Sequence, residues 1–472
     1  MATGIETIRN EFATLAVCDP VLGRDSSTLT QFRAMHQLPL PDTGPILRPR
    51  TVDDIQRIVT RSAELRVPVV PRGGGSGVVE GIFPNPEVVV LDLAHLNRIG
   101  QLDTVNGHVE VEAGVHAWDL EQHLMQSGWT LGHWPQSIEL ATIGGLIATK
   151  SIGQYSTRYG GIEAMVRTLD VITGTGDRIT VGHLSPRRTL GPELLPLFVG
   201  SEGTLGIIMG AYLKIHPLPD HQQGLVFTAA EFGDGLEVVR RWLMAGVKPS
   251  MVRLYDAGES ARTFPTAKGR TVLLALFHGS HAEVQVAVAE ATRLARYEAE
   301  PGDPQFIDHW LATRNDVSAW RPLLAQGLLA DTLEISASWD RLANLHRTIL
   351  QEVSAIPGVL GITAHASHAY TDGANLYFTF LATPETPEIA PDLYRRIVAA
   401  VLDRTLDGGG SIAHHHGVGR LRREWLARER QAELPYLQAL KDIFDPHHIL
   451  NRGALWTLTN PLSNSGNGPS TD

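Results

Sequence analysis

The chain has 472 residues, with 40 Lys and Arg against 51 Asp and Glu, so its formal net charge is −11. This length allows two or three domains and a large core. The excess of acidic residues argues against nucleic-acid binding, which usually requires a basic surface. The single cysteine, Cys18, excludes an intrachain disulfide and favours an intracellular, cytoplasmic location.

The N-terminus carries Glu6, Arg9 and Glu11 where a signal peptide would need an apolar run. Nothing in the sequence approaches the roughly 20 apolar residues of a membrane span. We therefore expect a protein without a transmembrane segment. Its composition leaves contact with a membrane surface and formation of a homodimer open.

The first predicted domain covers residues 45–220, after a helical N-terminal segment at 1–44. Thr51 precedes a helical pattern in which Ile55 and Ile58 share one face, and VPVV then predicts a short buried strand. Further strand patterns follow at EVVVLDL, HVEVEAGV and GTLGIIMGAYLKIHPLP. The domain is therefore predicted to mix helices and strands.

Three glycine-rich segments fall within this domain: PRGGGSG at 71–77, PQSIELATIGGLIATKSIG at 135–153 and VGSEGTLG at 199–206. Glycine permits positive φ and a close approach of backbone to ligand, and successive N–H groups in such turns can bind a pyrophosphate. The spacing does not match the G-x-G-x-x-G dinucleotide fingerprint, and no Gly-Lys-Ser/Thr completes a Walker loop. One such loop could be a plain tight turn. Three together favour a long cofactor anchored at several points.

The second predicted domain covers residues 221–440, where helical patterns alternate with the strand candidates TVLLALF, GLLADTLEIS and GANLYFTFLA. The connections lack the regular crossovers of a parallel sheet, so we predict an antiparallel or mixed sheet and an α+β fold class overall. A helix and a proline-bearing turn follow in a C-terminal segment, 441–460. The polar residues 461–472 are predicted to be a disordered tail.

Three residues of the second domain are candidates for function. Tyr377 lies in an aromatic strand, where a tyrosine is usually a core residue with its hydroxyl bonded to the backbone. Arg253 and Arg321 have apolar neighbours, where an arginine seldom lies without an anionic partner. That partner could be a structural carboxylate or a bound substrate.

Three consecutive histidines, His414, His415 and His416, follow the glycine run 408–410. A zinc site places imidazoles on one face of a strand or helix and needs further ligands, and no carboxylate is close in sequence. A solvated loop is the alternative, although the preceding GGGSIA is apolar and tight. We favour a catalytic cluster without a metal.

The glycine segments, YGGIEAMV and the closing KDIFDPHHILNRG occur in an order that resembles the vanillyl-alcohol oxidase family. The resemblance implies a two-domain flavoenzyme, with a PCMH-type FAD-binding domain, a substrate-binding cap and a C-terminal segment that returns to the FAD domain. Some members tether the flavin through a histidine after the first glycines, but GGGSGVVEG has none, so noncovalent FAD is expected. The residues implied to bind FAD are Pro71, Arg72, Gly73, Gly74, Gly75, Ser76, Gly77, Gln136, Ser137, Ile138, Glu139, Leu140, Ala141, Thr142, Gly145, Thr149, Lys150, Ser151, Ile152, Gly200, Ser201, Glu202, Gly203, Thr204, Leu205 and Gly206.

Within that family, the second domain resembles the alkylglycerone-phosphate synthases of ether-lipid synthesis. HHHGVG matches their three-histidine motif, TDGANLYFTF places Tyr377 at their catalytic tyrosine, and RLYD places Arg253 in their Arg-Leu-x-Asp motif. Arg321 corresponds, with a one-residue gap, to an arginine implied to bind the substrate phosphate.

The resemblance implies a reaction that replaces the acyl group of an acyl-dihydroxyacetone phosphate through a flavin N5 adduct, with Tyr377 as acid/base. The three histidines and Arg253 would then be catalytic, and a histidine and an arginine would lower the pKa of Tyr377. The D-2-hydroxyacid dehydrogenases and alcohol oxidases share the FAD half. Hydride transfer to the flavin therefore stays an alternative.

Overall fold

The computed structural model describes residues 3–316 and 320–455 of the chain. Its helices are α1 Gly4–Glu11, α2 Thr28–Met35, α3 Val52–Leu65, α4 Ala117–Gln126, α5 Ile143–Ala148, α6 Ser156–Tyr159, α7 Ile162–Met165, α8 Leu195–Phe198, α9 Phe232–Met244, α10 Ala257–Thr263, α11 His281–Ala295, α12 Gln305–Thr313, α13 Trp320–Ala325, α14 Trp339–Ser354, α15 Ala390–Asp407, α16 Arg423–Glu429 and α17 Leu434–Phe444. Short 3-10 helices lie at Ala13–Leu15, Pro20–Gly23, Pro265–Ala267 and Pro387–Ile389. The predictions for residues 456–472, including the disordered tail, lie outside the described residues. No described helix has the length and apolarity needed to cross a bilayer.

A small sheet of order β1–β2–β4–β3 carries the first glycine loop. Its strands are β1 Ala16–Val17, β2 Ile46–Leu47, β3 Val69–Arg72 and β4 Val89–Asp92. β2 and β3 both pair in parallel with β4, because α3 crosses over between β2 and β3. α3 begins after Thr51, which forms a capping box with Asp54, and it buries Ile55 and Ile58. Residues 73–77 therefore leave the carboxyl end of a buried strand.

An antiparallel sheet of order β5–β6–β10–β8–β9 completes the first domain. Its strands are β5 Ile99–Asp103, β6 His108–Glu112, β8 Val166–Ile172, β9 Arg178–Gly182 and β10 Ile207–Lys214, and β7 Trp129–Thr130 pairs separately with β11 His216–Pro217. Buried and partly buried residues alternate along β10 from Met209 onward, which is typical of a strand with one face on a core. Val171 and Leu213 share that core with Ile58 and Val69.

The second domain is built on a seven-stranded antiparallel sheet of order β15–β12–β14–β13–β17–β18–β16. Its strands are β12 His221–Ala229, β13 Met251–Tyr255, β14 Thr271–Gly279, β15 Ala299–Pro301, β16 Leu329–Ser338, β17 Val359–Ala366 and β18 Gly373–Ala382. One face packs against α9, α11, α14 and α15 in a core around Trp242. On the other face, Met251 packs in a cluster with Phe306, Trp310 and Tyr155, the last from the first domain. This second face is turned toward the first domain.

The chain ends connect the two domains. Ile8 of α1 packs in the core of the first domain, whereas Phe32 of α2 packs in that of the second. The described residues 3–44 of the predicted N-terminal helical segment therefore divide between the two domains, because they are too few to bury a core of their own. At the other end, Leu450 forms a parallel bridge with Val69 and so lies along the edge of the first sheet.

Candidate active site

A cavity of about 820 Å³ lies between the two domains, within the size range of ligand and cofactor sites. Its lining combines the glycine-rich segments of the first domain with polar side chains from the facing sheet of the second. A ligand held by the glycine loops can therefore reach the side chains of β13, β17 and β18.

The first two glycine segments approach each other backbone to backbone. A Cβ on Gly74 would overlap the carbonyl oxygen of Leu140, and one on Gly73 would overlap Oγ1 of Thr142. Gly75 has a φ of 72°, which L side chains rarely adopt. Oγ1 of Thr142 is buried and has no hydrogen-bond partner within the described part of the chain. A backbone-lined loop with an unpaired hydroxyl beside it fits a phosphate-bearing cofactor such as FAD.

Most of the residues predicted to bind FAD line the cavity. They are Pro71, Gly73, Gly74, Gly75, Ser76, Gly77, Gln136, Ser137, Glu139, Leu140, Thr142, Gly145, Thr149, Ser151, Ile152, Glu202, Gly203 and Gly206. The structure thus brings all three glycine segments to one site, although they are separated by more than 40 residues in sequence.

The other predicted FAD-binding residues do not line the cavity: Arg72, Ile138, Ala141, Lys150, Gly200, Ser201, Thr204 and Leu205. The three apolar ones are buried in the core of the first domain. The Arg72 guanidinium donates to the carbonyl of Gly73 at 2.8 Å, and the two hydroxyl groups donate to carbonyls close to them in sequence. Lys150 and Gly200 have positive φ. These residues shape the loops, and the sequence could not separate them from residues that face the ligand.

Glu202 connects the third glycine loop with the segment that follows the histidines. Its carboxylate accepts hydrogen bonds from the N–H groups of Val418 at 2.7 Å and Gly419 at 2.9 Å. The side-chain amide of Asn451 donates to its carbonyl oxygen at 2.7 Å. Burial raises the pKa of Glu202, and the two backbone hydrogen bonds oppose that rise. The position of the histidine segment is therefore tied to the cofactor loop.

Tyr377 lies on β18 and lines the part of the cavity formed by the second domain. Its ring is nearly parallel to the ring of His365, at a centroid distance of 4.6 Å, and to that of His415, at 5.8 Å. Burial raises the pKa of Tyr377 to about 12, although a hydrogen bond with Thr332 and the charge of Arg253 oppose this. The predicted effect of the arginine is therefore present, but it is outweighed by burial, and no histidine contributes to lowering this pKa. The two imidazoles face the ring, and burial dominates.

Arg253 reaches an anionic partner through a histidine. Nη2 of Arg253 is 3.0 Å from Nε2 of His365, and Nδ1 of His365 is 3.0 Å from Oε1 of Glu259. A guanidinium has no acceptor, so His365 accepts at Nε2 and donates from Nδ1 to the carboxylate. Burial, and then the charge of Arg253, lowers the pKa of His365, in agreement with this neutral tautomer.

The three histidines follow one another on a turn that Glu334 of β16 anchors. Its carboxylate accepts the backbone N–H of His416 at 2.8 Å and that of His414, and it pairs with Arg422 at 2.9 Å. Both members of that ion pair are fully buried. The carboxylate that is missing from the local sequence is thus supplied by a distant strand, and it binds the backbone of the turn.

Burial keeps these histidines neutral. It lowers the pKa of His414 to about 4 and the pKa values of His415 and His416 well below their ordinary value. His415 and His416 line the cavity, whereas His414 lies behind them. Within residues 3–316 and 320–455, no group of three or more His, Cys, Asp or Glu side chains is arranged to hold a metal ion.

The remaining predicted residue, Arg321, lies on α13 and is exposed where it lines the cavity. The structure therefore places Arg253, Arg321, Tyr377, His415 and His416 around one cavity. It leaves only His414 of the predicted catalytic set outside the lining.

Several cavity residues were missed by sequence reasoning, among them Asp25, Glu259, His365 and His368. For His365 a signal existed: β17 and β18 form a hairpin whose register places it opposite Tyr377. Asp25 and Glu259 reach the cavity from α-helical and loop segments without any local motif, and the sequence alone offered no means to find them.

Comparisons with known proteins match both halves of the chain. Residues 45–182 match the family described as FAD binding domain, and residues 218–455 match the FAD linked oxidases, C-terminal domain. The chain is 31% identical over 445 residues to the FAD-linked oxidoreductase YgcU of Escherichia coli K12, covering 90% of each protein. It is 27% identical over 450 residues to the alkyldihydroxyacetonephosphate synthase of Caenorhabditis elegans, covering 87% of this chain and 75% of the relative.

A solved structure of an alkyldihydroxyacetonephosphate synthase superposes with a TM-score of 0.77 at 23% identity, covering 96% of this chain and 84% of that one. At this identity the likeness shows the fold, a two-domain architecture with a PCMH-type FAD-binding domain, as predicted from the sequence. The chain belongs to the FAD-linked oxidase family and is a flavoenzyme.

Proposed function

We propose that this flavoenzyme exchanges the acyl group of an acyl-dihydroxyacetone phosphate-like substrate for a fatty alcohol, with noncovalently bound FAD and with Tyr377 as acid/base. The observation that carries the proposal is the shared cavity. The glycine loops that fit FAD and a phenol flanked by two imidazole rings line the same space. The similarity to alkyldihydroxyacetonephosphate synthase supports the choice of substrate class.

The protonation state of Tyr377 determines its role in the first step. Because burial raises its pKa to about 12, the resting phenol is protonated at neutral pH and can donate to a substrate oxygen. It becomes a base after that donation. Bound FAD would supply the electron-deficient ring system that group transfer or hydride removal requires.

The two arginines would bind the anionic substrate. Arg253 is held by His365, so its guanidinium is oriented at the cavity wall. Arg321 lines the cavity from an exposed position on α13, where a guanidinium can pair with a phosphate that enters from solvent. We assign Arg321 to the phosphate and Arg253 to the reacting end of the substrate.

A second candidate is oxidation of a D-2-hydroxyacid or an alcohol, with hydride transfer to the flavin. The similarity to the FAD-linked oxidoreductase YgcU over 90% of both proteins favours it. Tyr377, which is protonated at rest, would then donate a hydrogen bond to the substrate, and it would not be the base that removes the hydroxyl proton.

Product stoichiometry separates the two candidates. FAD-loaded protein is mixed with an acyl-dihydroxyacetone phosphate and a fatty alcohol, while carboxylate release, oxygen and a redox dye are followed. We expect one carboxylate per alkyl product without consumption of oxygen or dye, and no dye reduction with D-lactate, glycolate or D-2-hydroxyglutarate. Catalytic dye reduction by any of these acids would replace the exchange reaction with the oxidation.

A further inference from the structure

A line of hydrogen bonds runs from the protein surface to the cavity. Tyr370 is 36% exposed as a residue, burial raises the pKa of its phenol, and its hydroxyl lies 2.8 Å from Nε2 of His414. Nδ1 of His414 lies 2.9 Å from Nδ1 of His415. His415 lines the cavity, and its ring is nearly parallel to that of Tyr377. One phenol and two imidazoles therefore span the wall between solvent and the active site.

The two imidazoles are neutral, and this sets how they can be bonded. Burial lowers the pKa of His414 to about 4 and lowers that of His415 well below its ordinary value. A neutral imidazole carries one N–H and one acceptor nitrogen, so in the Nδ1–Nδ1 contact one ring donates and the other accepts. Two arrangements satisfy every contact, and they differ only in the direction in which all the hydrogen bonds point.

We propose that Tyr370, His414 and His415 form a proton relay that exchanges protons between the active-site cavity and bulk water. In the outward direction, Nε2 of His415 takes a proton from a group in the cavity, and the Nδ1 proton of His415 passes to Nδ1 of His414. The Nε2 proton of His414 then passes to the oxygen of Tyr370, whose own proton leaves to water. One proton exits, each ring stays neutral with its proton on the other nitrogen, and no electrons move.

The surroundings hold this relay in place. Glu334 accepts the backbone N–H groups on both sides of His415, from His414 and from His416. His368, itself bonded to Ser156 at 2.8 Å, stacks on His414 at a centroid distance of 5.2 Å. The rings are thus held by backbone and neighbours, and their nitrogens are left to bond with one another.

The proposed function explains why such a relay is needed, and the inference rests on it in that respect. Exchange of an acyl group for an alcohol releases a carboxylic acid, which loses its proton at neutral pH. Oxidation of an alcohol also releases a proton. In either case a proton forms in the cavity between the two domains, and the relay gives it a route to water while substrate occupies the cavity.

The first test needs no substrate, so it is independent of the proposed function. Histidine side chains are labelled with ¹⁵N in the FAD-loaded full chain, and the spectra of wild type, Tyr370→Phe and Tyr436→Phe are compared. The control Tyr436 is 74% exposed on α17, away from the relay. We expect both tautomers of His414 and His415 in the wild type and in the control, and a single arrangement in Tyr370→Phe, which has lost the phenol partner. Unchanged spectra in Tyr370→Phe would overturn the relay.

The second test follows turnover with whichever substrate class proves active. Tyr370→Phe and His414→Gln should each slow turnover by about tenfold, less than the ~10²–10⁴-fold loss typical of removing an acid or base itself. Both variants should show an altered solvent deuterium isotope effect and recover rate with added imidazole buffer, while Tyr436→Phe should behave as wild type. Slowing without an isotope effect or buffer rescue would indicate a packing defect and would also contradict the relay.

Discussion

At the scale of single residues, burial decides the charge of the groups around the cavity. Tyr377 stays a phenol, and the three consecutive histidines stay neutral, because an ionised ring loses its hydration in the interior. Asp25 follows the same rule at the glycine loop, where it accepts hydrogen bonds from the N–H groups of Ser27 and Gly81. The charged groups that remain, such as Arg253, are held by specific partners.

Removing the hydroxyl of Tyr377 should strongly slow the chemistry and leave the site intact. Tyr377→Phe keeps the ring between His365 and His415, so we expect the FAD absorbance spectrum to persist while turnover falls by about 10²–10⁴-fold. The free energy of unfolding should change by only about 1 kcal/mol, for the lost hydrogen bond with Thr332. Spectra, steady-state rates and urea unfolding measure the three quantities. A variant that retains most of its activity would remove Tyr377 from the mechanism.

Asp25 should make stability depend on pH with a defined sign. Burial raises its pKa from 3.8 to about 7, more than the hydrogen bond from Ser27 lowers it. The folded protein therefore binds this proton more tightly than the unfolded chain does. The free energy of unfolding should thus fall as pH rises from 3.8 to about 7, in total by an amount on the order of 4 kcal/mol.

Asp25→Asn removes this titration, so its stability relative to wild type should be higher at pH 8 than at pH 5. Urea unfolding at the two pH values measures the difference in the free energy of unfolding between the two proteins. The contributions of groups that titrate in both proteins cancel in this difference. The control Asp42→Asn changes an exposed carboxylate near the same segment and should show no such pH-dependent gain. A parallel response of wild type and Asp25→Asn would show that the carboxyl is not perturbed.

At the scale of elements, one strand and one hairpin position the site. β3 is held between β4 and the bridge to Leu450, so it delivers the glycine loop from a rigid edge. The β17–β18 hairpin places His365 beside Tyr377, while β16 pairs with β18 on the other side and brings Glu334 opposite the same tyrosine. Tyr377, its stacking partner His365 and the anchoring Glu334 therefore lie on three adjacent strands.

The close approach of the two glycine segments predicts the effect of a single methyl group. In Gly74→Ala the new Cβ would overlap the carbonyl oxygen of Leu140, which is backbone and cannot rotate away. We expect loss of FAD binding, measured by flavin fluorescence during titration, together with a lower unfolding midpoint. Gly361→Ala on β17 is the matched control, because a Cβ there meets no described atom within 4 Å and the residue does not line the cavity. Equal FAD affinity in both variants would argue against a cofactor cradle at this loop.

At the scale of the whole molecule, the cofactor site is an interface. The first domain provides the glycine loops, the second provides Tyr377 and the polar side chains around it, and Glu202 ties the two through the segment at 418–419. A cofactor that contacts both domains binds only the folded protein. It therefore stabilises the folded state, by about 2.7 kcal/mol when it is present at 100 times its Kd.

We expect FAD to be bound without a covalent link, since GGGSGVVEG has no histidine to tether it. Acid precipitation of the yellow protein should leave the flavin in the supernatant. Removal of FAD should lower the thermal unfolding midpoint, and added FAD should restore it. Flavin that remains with the precipitate would show a covalent bond to another side chain.

The sequence alone determined the α+β two-domain class and the three glycine segments. These features depend on local properties of the sequence, namely the conformational freedom of glycine and the periodicity of apolar residues. They can therefore be predicted without knowing which residues are in contact in the folded protein. The residues predicted to bind the cofactor, like the roles predicted for Tyr377, Arg253 and the histidines, came from contiguous motifs that resemble those of a known family.

Only the tertiary structure decided what these residues do to one another. Glu334 anchors His416 from 82 positions away, and Glu259 orients His365 from 106 positions away. The sign of the pKa shift of Tyr377 likewise depends on burial, which no local pattern records. Charge and hydrogen bonding in a buried site depend on which groups the fold packs together. The electrostatic interaction energy of two groups depends on the distance between them in space, and not on their separation along the chain.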